Sequence, residues 1–185
     1  MRQTIITLAS LALLAGSAIA QSPATPTKQP ATTLNDRLTG DLVPTHDPVI
    51  IREGGTYHVF STGHGDRLIE TRTSPDLIHW TAGKPVFTTL PDWAKQAIPG
   101  SNGMWAPDIS YVNGRYRLYY SVSTFGSNRS AIGLATSPTL DPKAKNFGWR
   151  DEGLVVMSTR EDDYNAIDPN FIIDRDGRHW RSLGS

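Results

Sequence analysis

The sequence predicts an all-β fold built from repeated groups of four short strands, and three observations carry that prediction. First, Asp47 to Ser61, Ala106 to Ser121 and the run from Asp168 each read as two strands around a glycine turn, with Gly55, Gly114 and Gly177 at the turns. Second, the similarity continues behind the first two hairpins, where Thr73-Ser74-Pro75 leads to Trp80 and Thr136-Ser137-Pro138 leads to Trp149. Third, no long stretch carries a helical apolar period, while the hairpin runs are rich in aromatic and β-branched residues. The repeats start 59 and 62 residues apart. A period of about 60 residues holding four strands is the size of one blade of a β-propeller. From Asp47 to Ser185 there is room for two blades and the first half of a third. Two and a half blades would leave long open sheet edges, so the sequence is expected to be a piece of a longer chain.

Taken in order, the chain starts with Arg2 and an apolar run from Ile5 to Ala15, closed by Ala18-Ile19-Ala20. That pattern predicts a secretory signal peptide over residues 1–20, cut before Gln21. The run falls short of the roughly 20 apolar residues that span a bilayer. Residues 21–40 are rich in Pro, Thr, Ala and Ser and are expected to be a flexible leader, with the partial propeller domain over residues 41–185. Within the blades, Asn113-Gly114 and Asp176-Gly177 predict short hairpin turns. The tryptophans after Ser-Pro are expected to pack between neighbouring blades.

The composition narrows the function. The 185 residues contain 18 Lys+Arg and 18 Asp+Glu, a balance that argues against a nucleic-acid or anionic-membrane partner and suits a neutral polymer. There is no cysteine, which excludes disulfides, thiol nucleophiles, thiolate metal sites and a lipoprotein anchor. The histidines at 46, 58, 64, 79 and 179 show no close metal-ligand spacing.

The repeat puts Asp47 and Asp168 at the same position of the first and third blades, where the innermost strand opens onto the central axis. Two carboxylates facing one funnel are what glycoside hydrolysis uses, one to activate water and another group to protonate the leaving oxygen. Ala106 takes the same position in the middle blade, leaving space beside Trp105 as a platform for a sugar ring. The structural alternative is that both Asp-Pro pairs only initiate turns. His46 stands beside Asp47 and either lines the cleft or fixes the strand start by a hydrogen bond; the second role is the expected one.

The surrounding motifs sharpen this. Thr45-His46-Asp47-Pro48, Ser74-Pro75-Asp76-Leu77-Ile78-His79-Trp80, Met104-Trp105-Ala106-Pro107-Asp108, Tyr119 to Gly126, Ser130-Ala131-Ile132-Gly133 and Asn165-Ala166-Ile167-Asp168-Pro169 occur in that order. The chain from Asp41 to Ser185 thereby resembles glycoside hydrolase family 43, and within it the endo-1,5-α-L-arabinanases. The resemblance implies a secreted five-bladed β-propeller, extracellular or periplasmic, that hydrolyses arabinan with inversion and is a monomer when complete. Asp47 matches the general base, and Asp168 matches the aspartate that raises the pKa of the general acid. Trp105 and Phe125 match aromatic walls, and Gly126, Asn165, Ala166, Ile167, Asp168 and Ser185 match positions lining the substrate cleft. The general acid, a glutamate in an Ile-Glu-Ala-Pro or Ile-Glu-Gly-Pro context, is expected further along than Ser185; Glu152 and Glu161 lie in the wrong context. No cofactor is required of these residues, although the resemblance allows a structural calcium on the axis of the full protein. An exo-acting furanosidase or xylosidase and a non-catalytic sugar-binding propeller stay open as alternatives.

Overall fold

The computed structural model describes residues 33–184. The signal peptide, the leader up to residue 32 and the candidate cleft residue Ser185 lie outside the described residues. The described chain is almost entirely β-structure, with one short helix.

The first sheet holds β1 (Thr39–Gly40), β2 (Val49–Glu53), β3 (Thr56–Ser61), β5 (Glu70–Ser74) and β6 (His79–Ala82), ordered β1-β6-β5-β3-β2. Four of these form an antiparallel meander, and β1 adds in parallel along its outer edge. The second sheet holds β4 (Gly63–His64), β7 (Gly103–Val112), β8 (Arg115–Val122), β9 (Ser130–Ser137) and β10 (Arg150–Ser158), ordered β10-β9-β8-β7-β4. Here the meander runs β7 to β10, and β4 stitches the chain leaving the first sheet onto the leading strand of the second. The hairpin of β11 (Asn170–Ile173) and β12 (His179–Ser182) stands third. These groups coincide with the three repeats of the sequence.

The Asn113-Gly114 turn has positive φ at both residues (52° and 79°), the conformation a tight two-residue hairpin needs. Asp176-Gly177 sits in the short hairpin turn expected of it: Asp174 N–H donates to Arg178 O at 2.9 Å, Gly177 N–H donates to Asp174 O at 3.0 Å, and Gly177 takes positive φ (76°). Asp174 Oδ1 also accepts the N–H groups of Asp176 and Arg178. Among the described residues, strand pairing begins before residue 41. The amide of Thr39 donates to Ile78 O, and Gly40 passes so close to β6 that a Cβ there would sit 1.9 Å from Trp80 O.

The core lies between the two sheets. Side chains alternate across a strand, so Tyr119 and Tyr120 of β8 face opposite ways. Tyr120 points toward the first sheet and α1 (Asp92–Ala97), meeting Phe87 at 5.6 Å and Trp93 at 6.4 Å between ring centroids. Tyr119 points toward the third hairpin and stacks on Phe171 at 6.0 Å. With neighbours on both faces, β8 and β9 are buried almost throughout. Asp151 fixes α1 to this core by accepting from both Trp93 Nε1 and the Tyr120 hydroxyl (3.0 and 2.8 Å). Burial and the neighbouring carboxylate of Asp151 push the Tyr120 hydroxyl far above the ordinary tyrosine range. Between the sheets, Trp149 meets Phe60 edge-on at 5.6 Å, as expected for a residue packed between groups. The Trp80 side chain bonds locally, donating from Nε1 to Leu77 O.

Candidate active site

Of the leading strands, β7 adjoins both β2 and β11, and the residues just before or within the starts of all three carry the same backbone. Asp47, Ala106 and Asp168 have φ of 49°, 40° and 52°, and each precedes a proline. The left-handed region is costly for any residue with a Cβ, and aspartate tolerates it better than alanine. Three equivalent positions held there imply surroundings that over-determine the conformation.

Those surroundings are a repeated joint. Thr62 follows β3 as Ser121 sits near the end of β8, at matching places in the repeat. Thr62 Oγ1 accepts the N–H of Ala106 at 2.9 Å, and Ser121 Oγ accepts the N–H of Asp168 at 3.0 Å. Each hydroxyl therefore pins the left-handed residue of the next group. The backbone repeats as well: Thr62 N–H donates to His46 O at 3.0 Å, and Gly184 N–H donates to Ile167 O at 2.7 Å. Upstream of Asp47, the buried Arg72 holds the incoming chain by donating to Asp41 O at 2.7 Å and to Pro44 O, while Glu70 and Ser61 take its other hydrogen bonds.

This scaffold opens onto a cavity of about 340 Å³ lined by both candidate carboxylates. Of the residues singled out from sequence, Asp47, Trp105, Phe125, Gly126, Asn165, Ile167 and Asp168 line it, and so does His46. Ala166 does not; it is fully buried, and its amide donates to Ser158 Oγ. Thr62, His64, Ser123, Thr124 and Ser127 also contribute to the lining and were missed. Thr62 was within reach of the sequence, since aligning the repeats sets it opposite Ser121. Glu152 lies elsewhere, accepting from Thr136 Oγ1 on β9, and Glu161 is exposed on a loop.

Asp47 is bound through one oxygen. Thr62 Oγ1 donates to Oδ2 at 2.8 Å, and His46 Nδ1 lies 2.8 Å from the same atom. His46 thus meets the Asp47 carboxylate with its ring, while its backbone carbonyl serves the strand. Burial pushes the Asp168 carboxyl above the usual carboxylate range, the charge of Asp47 pushes it further, and His46 opposes both. Gly184 leaves room for this side chain, because a Cβ there would stand 2.9 Å from Asp168 Oδ2.

The lining also carries an aromatic pair, and two of its residues hold polar atoms without partners. Phe125 is 92% exposed and lies against Trp105 with centroids 5.0 Å apart. Trp105 Nε1 and Asn165 Oδ1 are buried without a hydrogen-bond partner. A buried unpaired polar atom costs about 1–3 kcal/mol. A separate cavity of about 210 Å³ between β8–β10 and the third hairpin is apolar and holds no carboxylate. Among the described residues no group of three His, Cys, Asp or Glu is placed to hold a metal ion, and no helix is long and apolar enough to cross a membrane.

A family model described as Glycosyl hydrolases family 43 matches residues 43–185. The extracellular endo-alpha-(1->5)-L-arabinanase 1 of Bacillus subtilis (strain 168) is 46% identical over 142 residues, covering 76% of this chain and 43% of the relative. The extracellular exo-alpha-(1->5)-L-arabinofuranosidase of Cellvibrio japonicus (strain Ueda107) is also 46% identical, over 145 residues, covering 77% of this chain and 41% of the relative. Among solved structures, the alpha-L-arabinanase of Cellvibrio cellulosa complexed with arabinohexaose matches with a TM-score of 0.73 at 44% identity, covering 78% of this chain and 46% of that one. The chain spans less than half the length of each of these relatives.

Proposed function

Because the chain belongs to glycosyl hydrolases family 43, we propose that the protein it comes from is an exported hydrolase of α-1,5-linked arabinan, built as a five-bladed propeller. The observation that carries this reading is the one cavity onto which Asp47 and Asp168 both open, lined also by the aromatic pair Trp105 and Phe125. In it, Asp47 is the general base that takes a proton from water as the water attacks the anomeric carbon. The sugar's apolar C–H face rests on Trp105 and Phe125. Its hydroxyls satisfy polar atoms of the wall, Asn165 Oδ1 among them. Asp168 holds a proton-donating glutamate, supplied by the longer protein, in its protonated form, because a neighbouring negative charge makes a carboxylic acid lose its proton less readily. The displacement is inverting, which requires the two catalytic carboxyl groups to stand roughly 6.5–9.5 Å apart with a water between.

Endo and exo action are both represented among relatives of equal identity, so the attack mode is a question for the cleft ends. We infer endo action on the chain interior. The full-length gene product on debranched arabinan tests it: viscosity falls well before reducing ends accumulate, and Asp47→Ala lowers kcat by about 10²–10⁴-fold. NMR of the first-formed product shows the β-anomer if the mechanism inverts. Release of monosaccharide from the first turnover would establish exo action instead. Oligosaccharide binding without hydrolysis by the full-length protein would establish a sugar-binding propeller.

A further inference from the structure

A hydroxyl group has one proton to donate and lone pairs with which to accept. At Thr62 both are committed. The N–H of Ala106 donates to Oγ1 at 2.9 Å and occupies a lone pair, because a backbone amide has no other way to bond. Asp47 Oδ2 lies 2.8 Å from the same Oγ1, and an ionised carboxylate only accepts. The Thr62 proton therefore points at Asp47. The chain runs in one direction, from the Ala106 amide through the Thr62 hydroxyl to the Asp47 carboxylate, and crosses from the second group of strands back to the first.

We propose that Thr62 is a positioning residue for Asp47, aiming its carboxylate into the cavity. The assignment rests on the reading of Asp47 as general base. Thr62 binds Oδ2 from a fixed place, since its own amide is tied to His46 O at 3.0 Å and its β-branched side chain has little rotamer freedom. His46 contacts the same oxygen, but its side chain is 79% exposed and is a loose partner by comparison. With Oδ2 held by Thr62, Oδ1 takes no hydrogen bond from the described residues and is the oxygen presented to water. The matching hydroxyl, Ser121, accepts the Asp168 amide in the same way but donates to no carboxylate among the described residues. The joint is thus common to both seams, and the aiming of a carboxylate belongs to Thr62.

The test uses the full-length protein on debranched arabinan, comparing Thr62→Val, Thr62→Ser and Asp47→Ala. Valine keeps the shape and removes the hydroxyl, so kcat is expected to fall about 10–100-fold while KM stays within about threefold, the pattern of a misaimed group in the transition state. Serine restores the hydroxyl and is expected to return kcat to within about threefold of wild type, which a packing role for the threonine methyl would not allow. If Thr62→Val is recovered unfolded, Thr62→Cys, with its much weaker donor, takes its place under the same expectation. Full turnover in Thr62→Val beside an inactive Asp47→Ala overturns the role of Thr62 alone, as does equal damage from serine and valine. Full turnover in Asp47→Ala overturns the base assignment, and the role of Thr62 with it.

Discussion

The carboxylate of Asp108 on β7 accepts the backbone N–H of Phe171 on β11 at 2.8 Å, joining two leading strands that share no sheet. The Phe171 amide faces a place where strand pairing has stopped, and the side chain supplies the acceptor a neighbouring strand would have given. Burial holds the Asp108 carboxyl above the usual carboxylate range, and the amide bond opposes that shift. A carboxyl whose folded-state pKa is raised favours the fold most at low pH, and that contribution is lost as the pH rises through the folded value.

The expected consequence is a split between two substitutions. Asp108→Asn keeps an acceptor for Phe171 and removes the buried charge, so at pH 7 it is expected to be at least as stable as wild type. Asp108→Ala leaves the amide unpaired and is expected to cost about 1–3 kcal/mol. Urea denaturation of the full-length protein at pH 7 distinguishes them; an alanine variant as stable as the asparagine one would remove Asp108 from this role.

Gly133 on β9 faces the Tyr120 ring, and a Cβ there would stand 2.5 Å from Tyr120 Cζ and 2.7 Å from Trp93 Cζ2. Both rings are held through Asp151, so neither yields freely. Gly133→Ala is expected to destabilise the protein by about 1–3 kcal/mol through overpacking. A melting temperature unchanged by the substitution would show that the rings move aside at no cost.

His58 on β3 is buried at 6% exposure, and burial lowers its pKa below 6.5 while Glu53 and Asp141 pull it back up. A depressed histidine stabilises the fold fully above its unfolded pKa. Stability then drops as the pH falls from about 6.5 through the folded value, where the unfolded chain binds the proton more readily. His58→Phe is therefore expected to flatten the stability curve across that window, read by denaturation midpoints from pH 7.5 to pH 5. An equally steep decline in the variant would assign it to other groups.

Asp168 is raised by burial first and by the charge of Asp47 second. Replacing Asp47 with asparagine removes the second cause and leaves the first. The Asp168 carboxyl, followed by carboxyl-carbon NMR, is expected to titrate at lower pH in Asp47→Asn while staying above the ordinary aspartate range. No movement would mean that the two charges do not communicate across the cavity.

Much of this was legible in the residues. The spacing of Asp47, Ala106 and Asp168 marks equivalent strand starts, and Asn113-Gly114 forms the tight turn its φ freedom suits. Aligning the repeats sets Thr62 opposite Ser121, but its bond to Ala106, 44 positions away, gives no local signal. The helix Asp92–Ala97 spans six residues, too few to show a period, and is held by Trp93 reaching Asp151 58 positions on. The pairing of Thr39–Gly40 with β6 depends on a close backbone approach, and a segment of polar residues does not advertise that. Asp176-Gly177 forms the short turn its composition suits, and the Asp174 side chain, two residues away, adds bonds to it that the dipeptide does not announce.

Asp47 and Asp168 stand 121 residues apart in the chain, and the path between them crosses two seams, Thr62 to Ala106 and Ser121 to Asp168. In an assembled mechanism, the gap between two working faces carries the slack of every joint between them. Each carboxylate here is mounted on a different section, so play at either seam adds to the uncertainty of the opening between them. Warming that loosens a seam is expected to shift that opening while the sheets on either side are still intact. The distance between Asp47 and Asp168 then goes out of gauge before the frame itself gives way.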